Sequence, residues 1–248
     1  MIDNQDRVEL TRSLLTQPAV LRHGFLDVLG ESTASPVPTF AQLAMNSPFV
    51  ATVYEQLWRP MSFYLASGVT TGAEQRRAAT ALRLRGATRL LDVACGPGNF
   101  TAPLAEQLTT GSLAVGFDIS EPMLTRAVED NNGPRTCYVR GDARELPFDD
   151  ETFDAVCCFG ALYLIPDPFQ VAQEMVRVLA PGGRIAILTS YSGQPQPLSF
   201  ALSAGARLIG LTMFDSDAFV DLFISAGLVG VEQQTQRVLQ FVTATKPS

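Results

Sequence analysis

Three aspartates and two glycines carry the first chemistry in this sequence. The apolar run Leu90-Leu91-Asp92-Val93-Ala94 breaks into Cys95-Gly96-Pro97-Gly98. The run Leu113–Phe117 ends at Asp118, and Cys137–Arg140 opens into Gly141-Asp142-Ala143. Glycines at such a break permit a tight turn and let a ligand approach the backbone. A helix that starts just beyond them offers unpaired N–H groups to an anionic group such as a carboxylate or phosphate. Asp118 lies 20 residues after Gly98, where an acidic side chain can accept both hydroxyls of a ribose. Three acids at three successive strand ends are expected to face one crevice.

A lone Gly-x-Gly also fits a plain strand–helix turn, so neighbouring residues must decide. Nicotinamide chemistry asks for Gly-x-Gly-x-x-Gly/Ala, and this register gives Gly96, Gly98 and Thr101. The unit also begins near residue 88, behind a long helical region, which argues against a dehydrogenase. No Gly-Lys-Ser/Thr follows the loop, which removes a phosphate-binding P-loop. The four cysteines, at 95, 137, 157 and 158, lack Cys-x-x-Cys spacing, and His23 is the sole histidine. No metal site is therefore expected, and the cysteines read as buried, reduced thiols. Lys246 is the sole lysine, beside the C-terminus, which removes a Schiff-base mechanism.

The elements that position these residues follow from periodicity. Helical patterns at 99–108, 121–130 and 168–179 alternate with apolar runs at 88–94, 113–117, 137–140, 153–159 and 184–189. That alternation predicts α/β architecture with right-handed crossovers and a doubly wound, mostly parallel sheet. Phe153–Phe159 is continuously apolar, as a strand buried on both faces should be. Residues 228–234 and 237–244 alternate apolar with polar and read as a closing antiparallel pair. Ahead of this unit, residues 1–75 read as a helical N-terminal cap, first helical over 1–35 and then rich in Phe49, Tyr54, Trp58, Phe63 and Tyr64. The main domain is assigned to 76–248, with an apolar insertion near 191–215 that reads as a lid.

Composition narrows the partners. Net charge is −7 and mean hydropathy is +0.14, which excludes a disordered chain and disfavours nucleic acid, whose binders carry basic footprints. No run of 18 apolar residues or signal-peptide pattern occurs, so no membrane span and a cytoplasmic setting are expected.

The segments Leu-Leu-Asp-Val-Ala-Cys-Gly-Pro-Gly (90–98), Gly-Phe-Asp-Ile-Ser-Glu-Pro-Met-Leu (116–124), Gly-Asp-Ala-Arg-Glu-Leu-Pro-Phe (141–148), Phe-Asp-Ala-Val (153–156) and Arg-Val-Leu-Ala-Pro-Gly-Gly (177–183) resemble, in order, class I S-adenosylmethionine-dependent methyltransferases. The closest likeness is to the small-molecule branch that acts on quinones and natural products. The resemblance implies a Rossmann-like seven-stranded sheet with an antiparallel last strand. It implies S-adenosylmethionine as cofactor, S-adenosylhomocysteine as product, and methyl transfer to an O or C atom of a small, lipophilic or aromatic acceptor.

It also implies roles. Asp92 and the backbone of Ala94, Gly96 and Gly98 hold the methionine end. Asp118 grips the ribose hydroxyls, and Ile119 and Met123 pack on the adenine. The Asp142 carboxylate and Ala143 N–H read the adenine edge, and the Phe159 backbone faces the methionine amine. Tyr54 reaches the methionine carboxylate. The histidine that many relatives carry after the fourth strand is replaced here by Ala161-Leu162-Tyr163-Leu164. No catalytic base is named; an acceptor needing proton removal would turn to Tyr163, Asp167 or water. A second reading is a cofactor-binding regulatory or accessory protein without turnover. An amino-directed nucleic-acid methyltransferase lacks support, since Phe-Gly-Ala-Leu stands where Asn/Asp-Pro-Pro-aromatic belongs.

Overall fold

Five of the apolar runs become strands: β3 (Arg89–Val93), β4 (Leu113–Asp118), β5 (Thr136–Arg140), β6 (Phe153–Phe159) and β7 (Leu179–Ser190). They belong to a computed structural model that describes residues 4–30, 70–86, 89–193 and 211–248. The remaining described elements are α1 (Asn4–Leu14), β1 (Val20–Arg22), β2 (Phe25–Asp27), α2 (Thr71–Ala81), α3 (Thr101–Glu106), α4 (Glu121–Asp130), α5 (Pro168–Arg177), α6 (Ala218–Ser225), β8 (Val229–Gln236) and β9 (Leu239–Thr245).

One sheet holds all the strands, in the order β1-β2-β5-β4-β3-β6-β7-β9-β8. Pairing is parallel from β2 to β7, and β1 and β9 run antiparallel to their neighbours. Among the described residues the sheet thus has nine strands, not the expected seven. The extra pair is a hairpin that attaches through β2 to the edge of β5.

That hairpin also corrects the helical expectation for residues 1–35. The helix ends at Leu14, ahead of Pro18, and the chain then turns at His23-Gly24, where φ is +46° and +85°. Two successive positive φ values match the right-handed twist of a two-residue hairpin. Phe25 and Leu26 are fully buried, which fixes the strand to the sheet at about 1.5–3 kcal/mol per large apolar side chain. The helical period at Val8, Leu10, Leu14 and Leu15 belongs to α1 and its exit, which pack near Leu146 and Phe148.

Helices cover both faces. Ala78 and Leu82 at α2, with Leu104 of α3, pack on Leu90, Ala114, Ala155 and Leu188, while Leu124 and Ala127 of α4 pack with Tyr138 and Phe25. Across the sheet, Val171 and Met175 of α5 and Phe219 and Phe223 of α6 join Leu91, Val115, Val156 and Ile187. The parallel strands therefore all point their C-terminal ends, Val93, Asp118, Arg140, Phe159 and Ser190, to one edge.

Candidate functional site

The strand register turns the three acids into a staircase. Asp92 pairs with Gly116, and Asp118 with Arg140. Asp118 thus stands two residues beyond the level of Asp92, and Asp142 two residues beyond Asp118. At roughly 3.3 Å per residue, each step is about 6.6 Å. The acids share one edge of the sheet but work at different depths.

Asp92 is the deepest, 1% exposed. The Thr101 hydroxyl donates to its Oδ2 at 2.6 Å, and the Cys157 thiol approaches Oδ1 at 3.6 Å. This carboxylate therefore anchors the start of α3 from beneath the glycine turn. Removing Thr101's hydroxyl would leave a buried charge short of a donor. Thr101→Val is expected to lower unfolding free energy by about 1–3 kcal/mol, as read from a denaturant midpoint; a midpoint within error of the parent's would show that the bond contributes nothing.

Asp118 is half-exposed at the tip of β4, and both oxygens are engaged by backbone. Gly96 N–H donates to Oδ2 and Ser120 N–H to Oδ1, each at 2.8 Å. The bonds clip the glycine turn after β3 to the start of α4. Ala94, Gly96 and Gly98 all have positive φ, at +55°, +56° and +80°, so the turn places a non-glycine residue in a strained region, as ligand-holding segments often do.

Gly98 is glycine for space as well. A Cβ there would lie 2.5 Å from Tyr138 Oη and 3.2 Å from Asn131 Cβ. Tyr138 cannot retreat, because its ring lies on Gly116, where a Cβ would sit 2.6 Å from Cδ1. The phenol donates to Asn131 O at 2.7 Å, and the Asn131 amide donates to Pro97 O at 2.7 Å. Burial raises the Tyr138 phenol well above its ordinary value and keeps it a donor. On the outer side, Gln75 of α2 donates to Asn99 O at 2.8 Å. The turn is held from below and from the side. At Gly96, by contrast, an added Cβ would meet nothing within 4 Å among the described residues, so they leave this side of the turn open.

Asp142 is paired with Arg144, whose Nη2 donates to Oδ2 at 2.6 Å and whose Nε lies 3.0 Å from Oδ1. The Arg144 guanidinium holds the Asp142 carboxyl below the usual carboxylate range. A depressed folded pKa favours the folded state wherever the acid is ionised. The pairing thus contributes fully above the unfolded value of about 4 and fades as pH falls through the lower folded value. The stability gap between the parent and Asp142→Asn is expected to be constant near neutrality and to close in acid. A gap that widens on acidification would contradict the pairing.

The other expected residues separate by depth. Ile119 is 42% exposed and Met123 6%, so one flanks the opening and the other roots α4. Phe159 is buried between Phe100 and Phe241, at ring distances of 4.9 and 6.1 Å, which leaves its backbone for the edge. Ala143 is half-buried after β5. His23 lies at the hairpin turn and not in a helix, its ring 64% exposed and 3.8 Å from Glu121. Tyr163 is half-buried, and its carbonyl accepts from Thr212 N–H at 2.9 Å. Asp167 is exposed, begins α5 and lies 3.8 Å from Arg144. Tyr54 and the aromatic residues 40–65, with most of the expected lid (194–210), fall outside the described residues. Of the lid, Phe214 packs against Phe169 and Phe219 in the core.

All four cysteines are free and buried. Burial, then Asp118 and Asp92, pushes the Cys95 thiol up, and burial followed by Asp92 does the same to Cys157. They are protonated thiols, not nucleophiles. Among the described residues, no group of His, Cys, Asp and Glu could hold a metal ion, and no helix is long and apolar enough to cross a membrane.

A family model described as a methyltransferase domain matches residues 91–187, which span the glycine turn, Asp118 and Asp142. Residues 91–187 are a methyltransferase domain. The chain is also similar to demethylmenaquinone methyltransferases. That of Shouchella clausii is 41% identical over 104 residues, covering 41% of this chain and 44% of the relative. That of Lactiplantibacillus plantarum is 38% identical over 119 residues, covering 46% and 50%. The matches thus span about half the length of these relatives.

Solved structures share the fold at lower identity. Human N-acetylserotonin methyltransferase in complex with S-adenosylmethionine has a TM-score of 0.64 at 16% identity, covering 86% of this chain and 61% of that one. An S-adenosylmethionine-dependent methyltransferase from Thermotoga maritima has a TM-score of 0.60 at 19% identity, covering 82% and 99%. The methyltransferase domain accordingly has the Rossmann-like, mostly parallel architecture.

Within the methyltransferase domain, five contributors escape a linear reading: Thr101, Ser120, Asn131, Tyr138 and Arg144. Ser120 Oγ is buried without a partner, one residue past Ile119 and beside the Asp118 clip. It was legible only as the residue before Glu121-Pro122, a helix start.

Proposed function

We propose that this chain binds S-adenosylmethionine at the tips of β3, β4 and β5 and transfers its methyl group to an O or C atom of a small lipophilic acceptor. The observation that carries the reading is the Asp118 clip, which joins the glycine turn to α4 where the ribose would be held. Two features fit the cofactor without adjustment. The Gly96 side of the turn is open, and the orphaned Ser120 hydroxyl is available beside Asp118.

When bound, the cofactor supplies an activated methyl on a cationic sulfonium. The residues here bind and orient it. Asp118 accepts ribose hydroxyls while keeping its backbone bonds, since each carboxylate oxygen has a second lone pair. The turn from Ala94 to Gly98 lies along the methionine end, with Asp92 holding the turn from beneath. Ile119 and Met123 form the adenine wall, and the Ala143 N–H reads its edge. Asp142, held by Arg144, orients that segment and can share its outer lone pairs. The Phe159 carbonyl side of the strand end faces the methionine amine.

Alignment of acceptor and methyl is then the chain's main catalytic task, and such positioning can supply roughly 7–11 kcal/mol. An acceptor already nucleophilic needs no base, and Tyr138, the phenol beside the glycine turn, is buried and donates to Asn131 O. The names of the relatives favour a quinol-type acceptor. The net charge of −7 favours a small molecule over nucleic acid, and four unpaired thiols suit a reducing cytoplasm.

The test is production of S-adenosylhomocysteine with a panel of quinols, phenols and lipids. Turnover is expected with an apolar quinol or phenol. Tight cofactor binding with no product from any acceptor would favour the regulatory reading instead, which the missing base also supports.

A further inference from the structure

A second site lies away from the cradle. A cavity of about 380 Å³ opens between α2 and the face of β7, β9 and β8. The register sets its floor: Phe241 pairs with Leu188 and Gln234, and Thr243 with Ala186 and Glu232, so these residues share one face. Arg184 stands on the same face near the middle of β7, opposite Ala155, toward the sheet end remote from Asp118 and Gly96.

The cavity is basic on an acidic protein. Arg76, Arg77 and Arg184 line it, against one lining carboxylate, Glu232. Arg77 is held in place: it donates to Gln234 at 2.8 Å, lies 4.0 Å above the Phe241 ring and sits 3.5 Å from buried Glu74. Arg184 uses Nε on the Ala81 carbonyl. Among the described residues, neither its terminal nitrogens nor the Arg76 guanidinium has a hydrogen-bond partner. Burial, and then the charge of Arg83, makes the Arg184 cation less favourable than an ordinary one; Glu232 opposes this only in part. Cations held together in this way are stabilised by an incoming anion.

We propose that this cavity binds a phosphate-type oxyanion of a small molecule, with Arg76 and Arg184 as its principal donors. A guanidinium fork matches two oxygens at once, so several forks converging on one cavity call for an ion with more than two oxygens, which a carboxylate lacks. Thr243 adds a hydroxyl to the lining, while the Thr80 hydroxyl donates to Arg76 O at 2.9 Å. The site stands apart from the methyl-transfer reading, and its failure leaves that reading untouched.

The test titrates inorganic diphosphate into the full chain at constant ionic strength, followed by calorimetry and amide chemical shifts. One saturable site is expected, with shifts at α2, β7 and β9. Arg76→Ala and the conservative Arg184→Lys should each weaken it about tenfold, while Arg126→Ala on α4 leaves it unchanged. A parallel titration with glycerol phosphate separates the sources. Binding of the ester assigns an organic phosphate, and its exclusion assigns the free ion. Absence of saturation, affinity equal to the parent's in both cavity variants, or displacement by S-adenosylmethionine would each overturn the proposal.

Discussion

Gly98→Val is expected to lose both cofactor binding and a large share of stability. The substitution places a Cβ at φ +80° and 2.5 Å from the Tyr138 hydroxyl. The left-handed backbone alone costs a side chain about 1–2 kcal/mol, and crowding a packed site costs about 1–3 kcal/mol more. Tyr138 has no room to yield, since its ring rests on Gly116 and its hydroxyl is bonded to Asn131. The turn must move instead, and with it the Gly96 N–H that meets Asp118. A drop of about 2–5 kcal/mol in unfolding free energy is the expected sum, with S-adenosylmethionine affinity reduced at least about 100-fold. Gly96→Ala separates the two effects. Among the described residues its Cβ meets no atom within 4 Å, so the fold should suffer only the backbone cost while binding still falls. Equal effects of the two variants on stability would show that Tyr138 does not brace the turn.

Asp118→Ala should weaken S-adenosylmethionine by about 1–3 kcal/mol, roughly 5- to 150-fold, the scale for charged hydrogen bonds. The side chain holds Gly96 N–H and Ser120 N–H at 2.8 Å, so its loss both releases the turn and removes the acceptor for the ribose. Asp118→Asn keeps one acceptor oxygen and should fall between. The comparison is read by calorimetry on folded protein of matched melting temperature. An Asp118→Ala variant that binds as tightly as the parent removes the ribose assignment.

The parallel sheet was legible because its strands are buried on both faces and appear as plain apolar runs, Phe153–Phe159 most clearly. The glycine turn and its acids were legible because they lie next to strand ends in sequence. The contacts that brace them were not. Tyr138 and Gly116 are adjacent only through the β4–β5 register, and Thr101 meets Asp92 only because α3 folds back over the turn. Nor does the sequence show that Asp92 faces inward while Asp118 reaches the edge, since that depends on how far each strand projects. The hairpin at 20–27 was masked by apolar spacing that continued the period of α1, although His23-Gly24 is a turn signal. The nine strands follow from that hairpin.

The most direct measurement is an equilibrium titration of the parent chain with S-adenosylmethionine, repeated with a nicotinamide dinucleotide. A single saturable site for the sulfonium compound, perturbing amides at Gly96, Asp118 and Ser120 and ignoring the dinucleotide, is the predicted result. Binding of the dinucleotide at those amides, or no binding of the sulfonium compound, would contradict the account.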